Sequence, residues 1–345
     1  MVKDGDRMPT MSDIAAAAGV SRALVSIVLR DVAGASDETR RKVRRVAEEL
    51  GYRPNAAAQV LRRARSGNVG VLFSPQYPFE VEIVEAVYPA AHELGYRIVL
   101  GAMTLNRVLD DAVDELLAYR CEALVIVGLD HADRWFDELH ARVPVVRVGR
   151  PPSKAAVDVV HTHEGRGIGA ALAHLVELGH EQIAFVDGGD LPGARERRRG
   201  YVTGMRRRGL QDSVRVLGGD YTDQGGANAA LELLAGSELP TAVVTANDWS
   251  AIGLLTTLVR HGVRVPDDVS VVGYDDSVLA RRPYLDLTSV AQDTHQMAAA
   301  TIAAADRRLG GLLDPPTVTV IEPRLVIRSS TTTPRPATVS VRRCR

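Results

Sequence analysis

Two cysteines in 345 residues, Cys121 and Cys344, exclude a disulfide framework and any Cys-x-x-Cys metal site. The opening stretch MVKDGDRMPTMSDIA lacks the apolar core of a secretory signal. No apolar run approaches the ~20 residues needed to cross a bilayer. The expectation is a cytoplasmic protein with no membrane partner. No Gly-x-Ser-x-Gly elbow and no Gly-Lys pair occurs, which removes the commonest hydrolase and P-loop signatures. Net charge is also nearly absent, at −1, and by itself selects no partner.

The distribution of charge is informative. Residues 1–66 hold 13 Lys/Arg against 8 Asp/Glu, while the remainder holds 29 against 35. A basic head on an acidic body suggests that the head meets a polyanion. The length suits two or three domains, and 46% apolar residues suffice for real cores.

Three short helices fit the head. The first spans about Met11 to Ala18, with Thr10 and Asp13 spaced as a capping box and Gly19 as its stop. The second follows the N-cap Ser21. The third spans about Asp37 to Leu50, between Ser36 and Gly51. Ile14, Val20, Val25, Leu29, Val43, Val46 and Leu50 are its candidate core. Two short helices around a Gly-containing turn are the pattern of a helix-turn-helix. Pro54 then breaks the chain, and Asn55 caps a short Ala-rich helix carrying Leu61. Such a helix orders only against a partner.

From Asn68 the rhythm changes. The runs VGVLF, YRIVLGA, ALVIVG, VPVVRVG, IAFVDGG, TAVVTAN and VSVVGYD alternate with helical stretches, among them Glu80–Leu94, Gly165–Leu178, Asp223–Leu234 and Ser250–His261. Continuous apolar strands between helices indicate parallel sheets covered on both faces. More than 250 residues of this suit two α/β halves, with ligands beyond the carboxyl ends of the strands.

Head and body together resemble the LacI/GalR family of bacterial transcription regulators. The similarity covers roughly residues 9–331. It rests on TMSDIAAAAGVSRALVSIVL, on SDETRRKVRRVAEELGYRPNAAAQVLR, and on HLVELGHEQIAFVDG, RRRGY, TANDWSAIG, SVVGYDD and LTSVAQD. It implies an all-α helix-turn-helix head plus an α/β periplasmic-binding-protein-like core of two doubly wound parallel-sheet lobes. The implied boundaries are 1–53 for the head, 54–67 for the hinge helix and linker, and 68–331 for the core. The N-lobe takes about 68–163 and 293–322, and the C-lobe about 164–292 and 323–331. Residues 332–345 read as a disordered tail. The implied function is a repressor that binds a palindromic double-stranded DNA operator as a homodimer and answers to a small effector. No cofactor, metal or catalytic residue is implied.

The resemblance places DNA contacts at Thr10, Ser21, Arg22, Ala23, Ser26, Ile27 and Arg30, and in the hinge at Asn55, Ala58, Gln59 and Leu61. Where the family has Thr, Arg and Asn, this chain has Leu24, Ile27 and Arg30, so no relative's operator transfers. Val25, Val28 and Leu29 define the buried arc of the second helix, which leaves Ile27 facing water. Ala23 and Ile27 suit thymine methyl groups, and Arg22 suits guanine. Ser26 and Arg30 suit phosphates. A rotated helix would instead tuck Ile27 inside. Leu61 matches the family's minor-groove wedge.

For the effector, the resemblance carries over Arg197, Asn247, Asp275 and Gln292, with the aromatics Tyr77, Phe79 and Tyr221. A guanidinium, a carboxylate, two amides and aromatic faces suit a sugar. Asn247 and Asp275 have a plainer alternative as helix caps. Trp249 faces the cleft or packs beneath it.

Other readings compete. Gly165–Ala170, GRGIGA, fits the dinucleotide pattern with Asp187 as the ribose acid, which would make an NAD-binding oxidoreductase-like protein. His161, His163 and Glu164 suggest either a metal or a solvated loop. An exported solute receptor fits the body but not the basic head. A ligand-independent DNA-binding regulator fits both.

Overall fold

The computed structural model describes residues 9–29, 31–52, 65–104, 106–150, 156–311 and 315–335. The chain divides into two compact units, Met1–Ser66 and Gly67–Arg345.

Three described helices build the first unit: α1 (Met11–Ala18), α2 (Arg22–Leu29) and α3 (Asp37–Glu49). The expected capping box closes the start of α1. Thr10 N–H donates to Asp13 Oδ2 at 2.7 Å, and Asp13 N–H donates back to Thr10 Oγ1 at 3.4 Å. Gly19 ends α1 with φ +64°, a left-handed turn that glycine adopts without strain. Ser21 Oγ accepts from Leu24 N–H at 3.2 Å and starts α2. The two helices turn through 107°, within the range of a helix-turn-helix. Ile14, Ala18, Val25, Val28, Val43, Val46 and Ala47 form the core, with Val20 and Leu29 at its edge. Leu50 lies outside that core and is exposed, because α3 ends at Glu49 and the chain turns away at Gly51, φ +64°.

The second unit holds two six-stranded sheets. The first contains β1 (Asn68–Phe73), β2 (Arg97–Ala102), β3 (Cys121–Val127), β4 (Val145–Val148), β5 (Asp158–Thr162) and β11 (Val318–Ile321). Their order is β11-β5-β4-β3-β1-β2 and every pairing is parallel. Helices α4 (Pro78–Glu93), α5 (Leu109–Ala118), α6 (Asp133–His140) and α11 (Thr294–Leu309) accompany it. The second contains β6 (Ile183–Val186), β7 (Arg215–Leu217), β8 (Ala242–Thr245), β9 (Ser270–Asp275), β10 (Thr288–Ala291) and β12 (Arg324–Val326). Its order is β12-β10-β9-β8-β6-β7, with only β12 antiparallel. Helices α7 (Glu164–Glu177), α8 (Ala194–Arg207), α9 (Asp223–Ala235) and α10 (Asp248–Arg260) pack on it. The chain passes between the sheets three times: from β5 into α7, from β10 into α11, and from β11 into β12.

Central strands such as β4, β6, β8 and β9 are buried along their whole length. That is why they read as unbroken apolar runs. Cys121 opens β3 inside the core, where burial pushes its thiol up to about 12. Among the described residues, no single helix is long and apolar enough to cross a membrane.

Three expectations change. The glycines of GRGIGA do not form a strand-to-helix turn. Helix α7 starts at Glu164, so they lie inside it, and a Cβ on Gly167 would stand 2.7 Å from Tyr274 Oη. The glycine serves close packing. His161, His163 and Glu164 are not a solvated loop. His161 belongs to β5, His163 caps α7 by accepting Arg166 N–H, and Glu164 is buried. Residues 332–335 are not a free tail. Thr332 carbonyl accepts from Ser270 Oγ and stands 2.8 Å from His180 Nε2, and Arg335 pairs with Asp268.

Glycine also draws α9 and α10 together. A Cβ on Gly226 would meet Ser250 carbonyl at 2.0 Å, and one on Gly253 would meet Asp223 carbonyl at 1.8 Å. This contact sets the two helix starts side by side, so Asn247 Nδ2 donates to Tyr221 carbonyl at 2.9 Å. The obstacle at Gly253 is backbone and cannot step aside. Gly253→Ala should therefore cost about 1–3 kcal/mol by overpacking, read as a lower denaturant midpoint.

Candidate functional site

A cleft opens between the two sheets. From the first lobe it is lined by Tyr77, Phe79, Glu80, Ile83 and Gly128, and from the second by Glu164, Leu191, Arg197, Tyr221, Asn247, Asp248, Trp249, Asp275 and Gln292, among others. All seven residues expected to hold an effector lie on it. Trp249 does too.

Arg197 organises the second-lobe wall. It projects from the first turn of α8 and is 5% exposed. Its Nε donates to Glu164 Oε2 at 2.7 Å, and its Nη1 to Ala246 carbonyl at 2.5 Å. Asp275 Oδ1 stands 3.6 Å from Nη1. The guanidinium lies 3.8 Å from the Tyr274 ring centroid and 5.5 Å from that of Tyr221. Burial works against the charge, but Glu164, the two tyrosines and Asp275 outweigh it and hold the arginine firmly protonated.

Asp275 ends β9 with φ +108°. Its Oδ1 accepts from Gln292 Nε2 at 2.7 Å, so it binds a neighbouring crossover rather than capping a helix. Burial pushes its carboxyl well above the usual range, with Asp248 adding to the effect. Asn247 does serve as a cap. Its Oδ1 accepts Ser250 N–H at 2.9 Å while Nδ2 is held by Tyr221 carbonyl. Both ends of its amide are therefore occupied within the protein. Tyr77 caps α4 by backbone position only, with no side-chain bond to the helix.

Two carboxylates went unnoticed in the sequence. Asp248 accepts from Ser289 Oγ at 2.6 Å and Ser277 N–H at 2.7 Å, and burial pushes it up to about 6. Glu80, in the first turn of α4, accepts Ser74 N–H at 2.7 Å and is pushed up to about 8 by burial. Their only sequence signal was position, just past β1 for Glu80 and beside Asn247 for Asp248. Glu164 was considered only beside its histidines.

The lobes are also tied outside the cleft. Glu82 of α4 accepts Val278 N–H at 3.0 Å, and Arg166 pairs with Glu322 beside the crossings.

In the first unit, Ser21, Arg22 and Ala23 are exposed at the start of α2. Thr10 is exposed but spends its hydroxyl on Asp13 at 2.7 Å. Ser26 is half-buried. Ile27 is half-buried too, rather than facing water, because the Gly34 loop folds over it. A Cβ on Gly34 would sit 3.8 Å from Ile27 Cδ1. Arg30, Asn55, Ala58, Gln59 and Leu61 lie outside the described residues.

A helix-turn-helix unit joined to a two-lobed α/β unit with a cleft between its lobes defines a class, the DNA-binding transcription regulators with a ligand-receptor body. Residues 10–55 match the family described as bacterial regulatory proteins, lacI family, and residues 172–331 match a periplasmic binding protein-like domain. The HTH-type transcriptional regulator CelR of Thermobifida fusca is 34% identical over 340 residues, spanning 94% of this chain and 98% of that protein. A solved CelR–cellobiose complex superposes with TM-score 0.69 at 32% identity, covering 93% of this chain and 99% of that one. The lac repressor dimer bound to operator and the anti-inducer ONPF superposes with TM-score 0.80 at 29% identity, covering 94% and 100%. The chain belongs to the LacI family of bacterial transcription regulators.

The raised carboxyls predict a pH signature. Glu80 keeps its proton when folded up to about 8, against an ordinary 4.5. In that window the folded state binds more protons than the unfolded one, so this group's contribution falls as pH rises. Buried His180 and half-buried His140 and His174, held below their ordinary range chiefly by loss of solvent, act in the opposite direction near pH 6. A difference measurement isolates Glu80. The melting temperature of Glu80→Gln relative to the parent should rise by a few degrees between about pH 4.5 and 8. A flat difference would remove the buried-acid assignment.

Proposed function

We propose that this chain is a cytoplasmic repressor that binds a palindromic operator as a homodimer and is controlled by a sugar-like effector in the inter-lobe cleft. The convergence of Arg197, Asp275, Gln292 and the aromatic side chains on one cleft, in a chain that also carries a helix-turn-helix, supports this function. CelR, solved in complex with cellobiose, and the lac repressor, crystallised on its operator, set the precedent. Closely spaced polar groups discriminate sharply, because a ligand that leaves one unpaired loses the full desolvation cost.

On DNA, the exposed start of α2 enters the major groove. Arg22 reads guanine, Ala23 and the accessible part of Ile27 meet thymine methyls, and the hinge around Leu61 wedges the minor groove. Nothing favours the dinucleotide alternative, since its glycines lie within α7 rather than in a strand-to-helix turn and Asp187 is bound by Arg198 at 2.5 Å.

Two measurements test this. Selection of bound duplexes from a random library at about 0.15 M salt should return a palindrome. Arg22→Ala should then lose about 1–3 kcal/mol of affinity for it and relax preference at one base pair. Absence of any enriched motif would refute the operator function. A thermal-shift screen of mono- and disaccharides should raise the melting temperature, since ligand at 100 times its Kd adds about 2.7 kcal/mol. Asp275→Asn should lose that shift. Stabilisation that survives in the variant would take Asp275 out of the site.

A further inference from the structure

Acidic groups outnumber basic ones on the cleft wall. Four carboxyl groups, Glu80, Glu164, Asp248 and Asp275, face one guanidinium, Arg197. Every nitrogen of that guanidinium already meets an acceptor from the protein. Its charge is already compensated by Glu164 and approached by Asp275. Asp248 is satisfied by Ser289 and Ser277.

Glu80 differs from the rest. It is 6% exposed, and its Oε2 is held by Ser74 N–H. No donor among the described residues reaches its Oε1. That oxygen lies in a cradle over Gly128, where a Cβ would stand 2.0 Å from it. Tyr77, the helix N-cap, and Phe79 precede it in the chain and line the same cleft.

We propose that the cleft takes a polyhydroxylated ligand bearing a protonated amine, an amino sugar in chemical class, with its ammonium against Glu80 Oε1. The proposal rests on the cleft being the effector site. A buried carboxylate without a cation is costly, whereas an ammonium supplies both the donor and the missing charge. The neighbouring aromatic rings suit a cation as well as a sugar face. A neutral hydroxyl would satisfy the oxygen and leave Glu80 in its neutral, protonated form.

Proton release separates the two cases. In the free protein burial keeps Glu80 protonated at neutral pH. Among charged and titratable groups, Tyr77 at the helix N-cap interacts with it, and Glu164, Arg197, Asp248 and Asp275 line the same cleft from the other lobe. Docking an ammonium ionises Glu80, and its proton leaves to solvent. Docking a neutral sugar leaves that proton in place.

The test is a panel of mono- and disaccharides, each in neutral, amino and N-acetylated form, starting with glucose, glucosamine and N-acetylglucosamine. Putrescine serves as an amine without hydroxyls. Binding to the full chain is measured by calorimetry at pH 7 in two buffers of different ionisation enthalpy. The expected result is an amino form favoured over its neutral and acetylated partners by roughly tenfold, one charge-assisted hydrogen bond. It should release a proton, seen as a buffer-dependent enthalpy. In Glu80→Gln, which keeps the shape and the Ser74 bond, both the preference and the proton release should vanish. Neutral sugars binding as well as or better than amino forms would overturn the amine inference and leave the effector function standing. So would a preference that persists in Glu80→Gln, or equal binding of putrescine. No binding by any saccharide would overturn both.

Discussion

A buried guanidinium is the constraint around which the second lobe is built. Arg197 is removed from water, so it must be surrounded by acceptors that are themselves removed from water. Glu164 comes from the first turn of α7, immediately after the chain crosses between lobes. Ala246 carbonyl follows β8, and Asp275 ends β9. Four segments far apart in sequence are thereby pinned at the carboxyl ends of one sheet. The Tyr274 and Tyr221 rings close over the charge and exclude solvent.

That arrangement has an electrostatic consequence across the cleft. One cation cannot neutralise every acid around it, and burial keeps Asp275, Asp248 and Glu80 away from the ordinary carboxylate range. The cleft thus presents several carboxyl groups beside aromatic and aliphatic surface before any ligand arrives. A ligand that supplies donors to both walls gains most when the walls are close. An effector shifts the lobe arrangement only through such differential affinity. The Glu82–Val278 and Arg166–Glu322 links are the groups that any change of lobe angle must strain or release.

Tight packing positions the same wall. Gly226 and Gly253 let α9 and α10 approach until backbone meets backbone, and Gly167 lets α7 sit on Tyr274. A pattern that looks like a dinucleotide fingerprint is here a packing device. The two uses share one physical need, the absence of a Cβ, and only the helix start at Glu164 separates them.

Much was legible before any coordinates. Caps and stops such as Thr10, Ser21, Ser36 and Gly19 act locally, so the head helices were readable to within a residue or two. The central strands were readable because burial on both faces leaves unbroken apolar runs. Strands β5, β7, β10, β11 and β12 were not, since their short segments mix polar residues such as Asp158, His161, Thr288 and Ser289 with apolar ones. The seven effector positions were named through the family resemblance, and they do meet on one cleft. Tertiary structure alone decided what each does there. It made Asn247 a cap with no free amide, tucked Ile27 beneath the Gly34 loop, fastened Thr332–Arg335 to the second lobe, and buried Glu80 without a cation. Those outcomes depend on burial and charge from segments distant in sequence, whereas the caps and runs depend only on near neighbours.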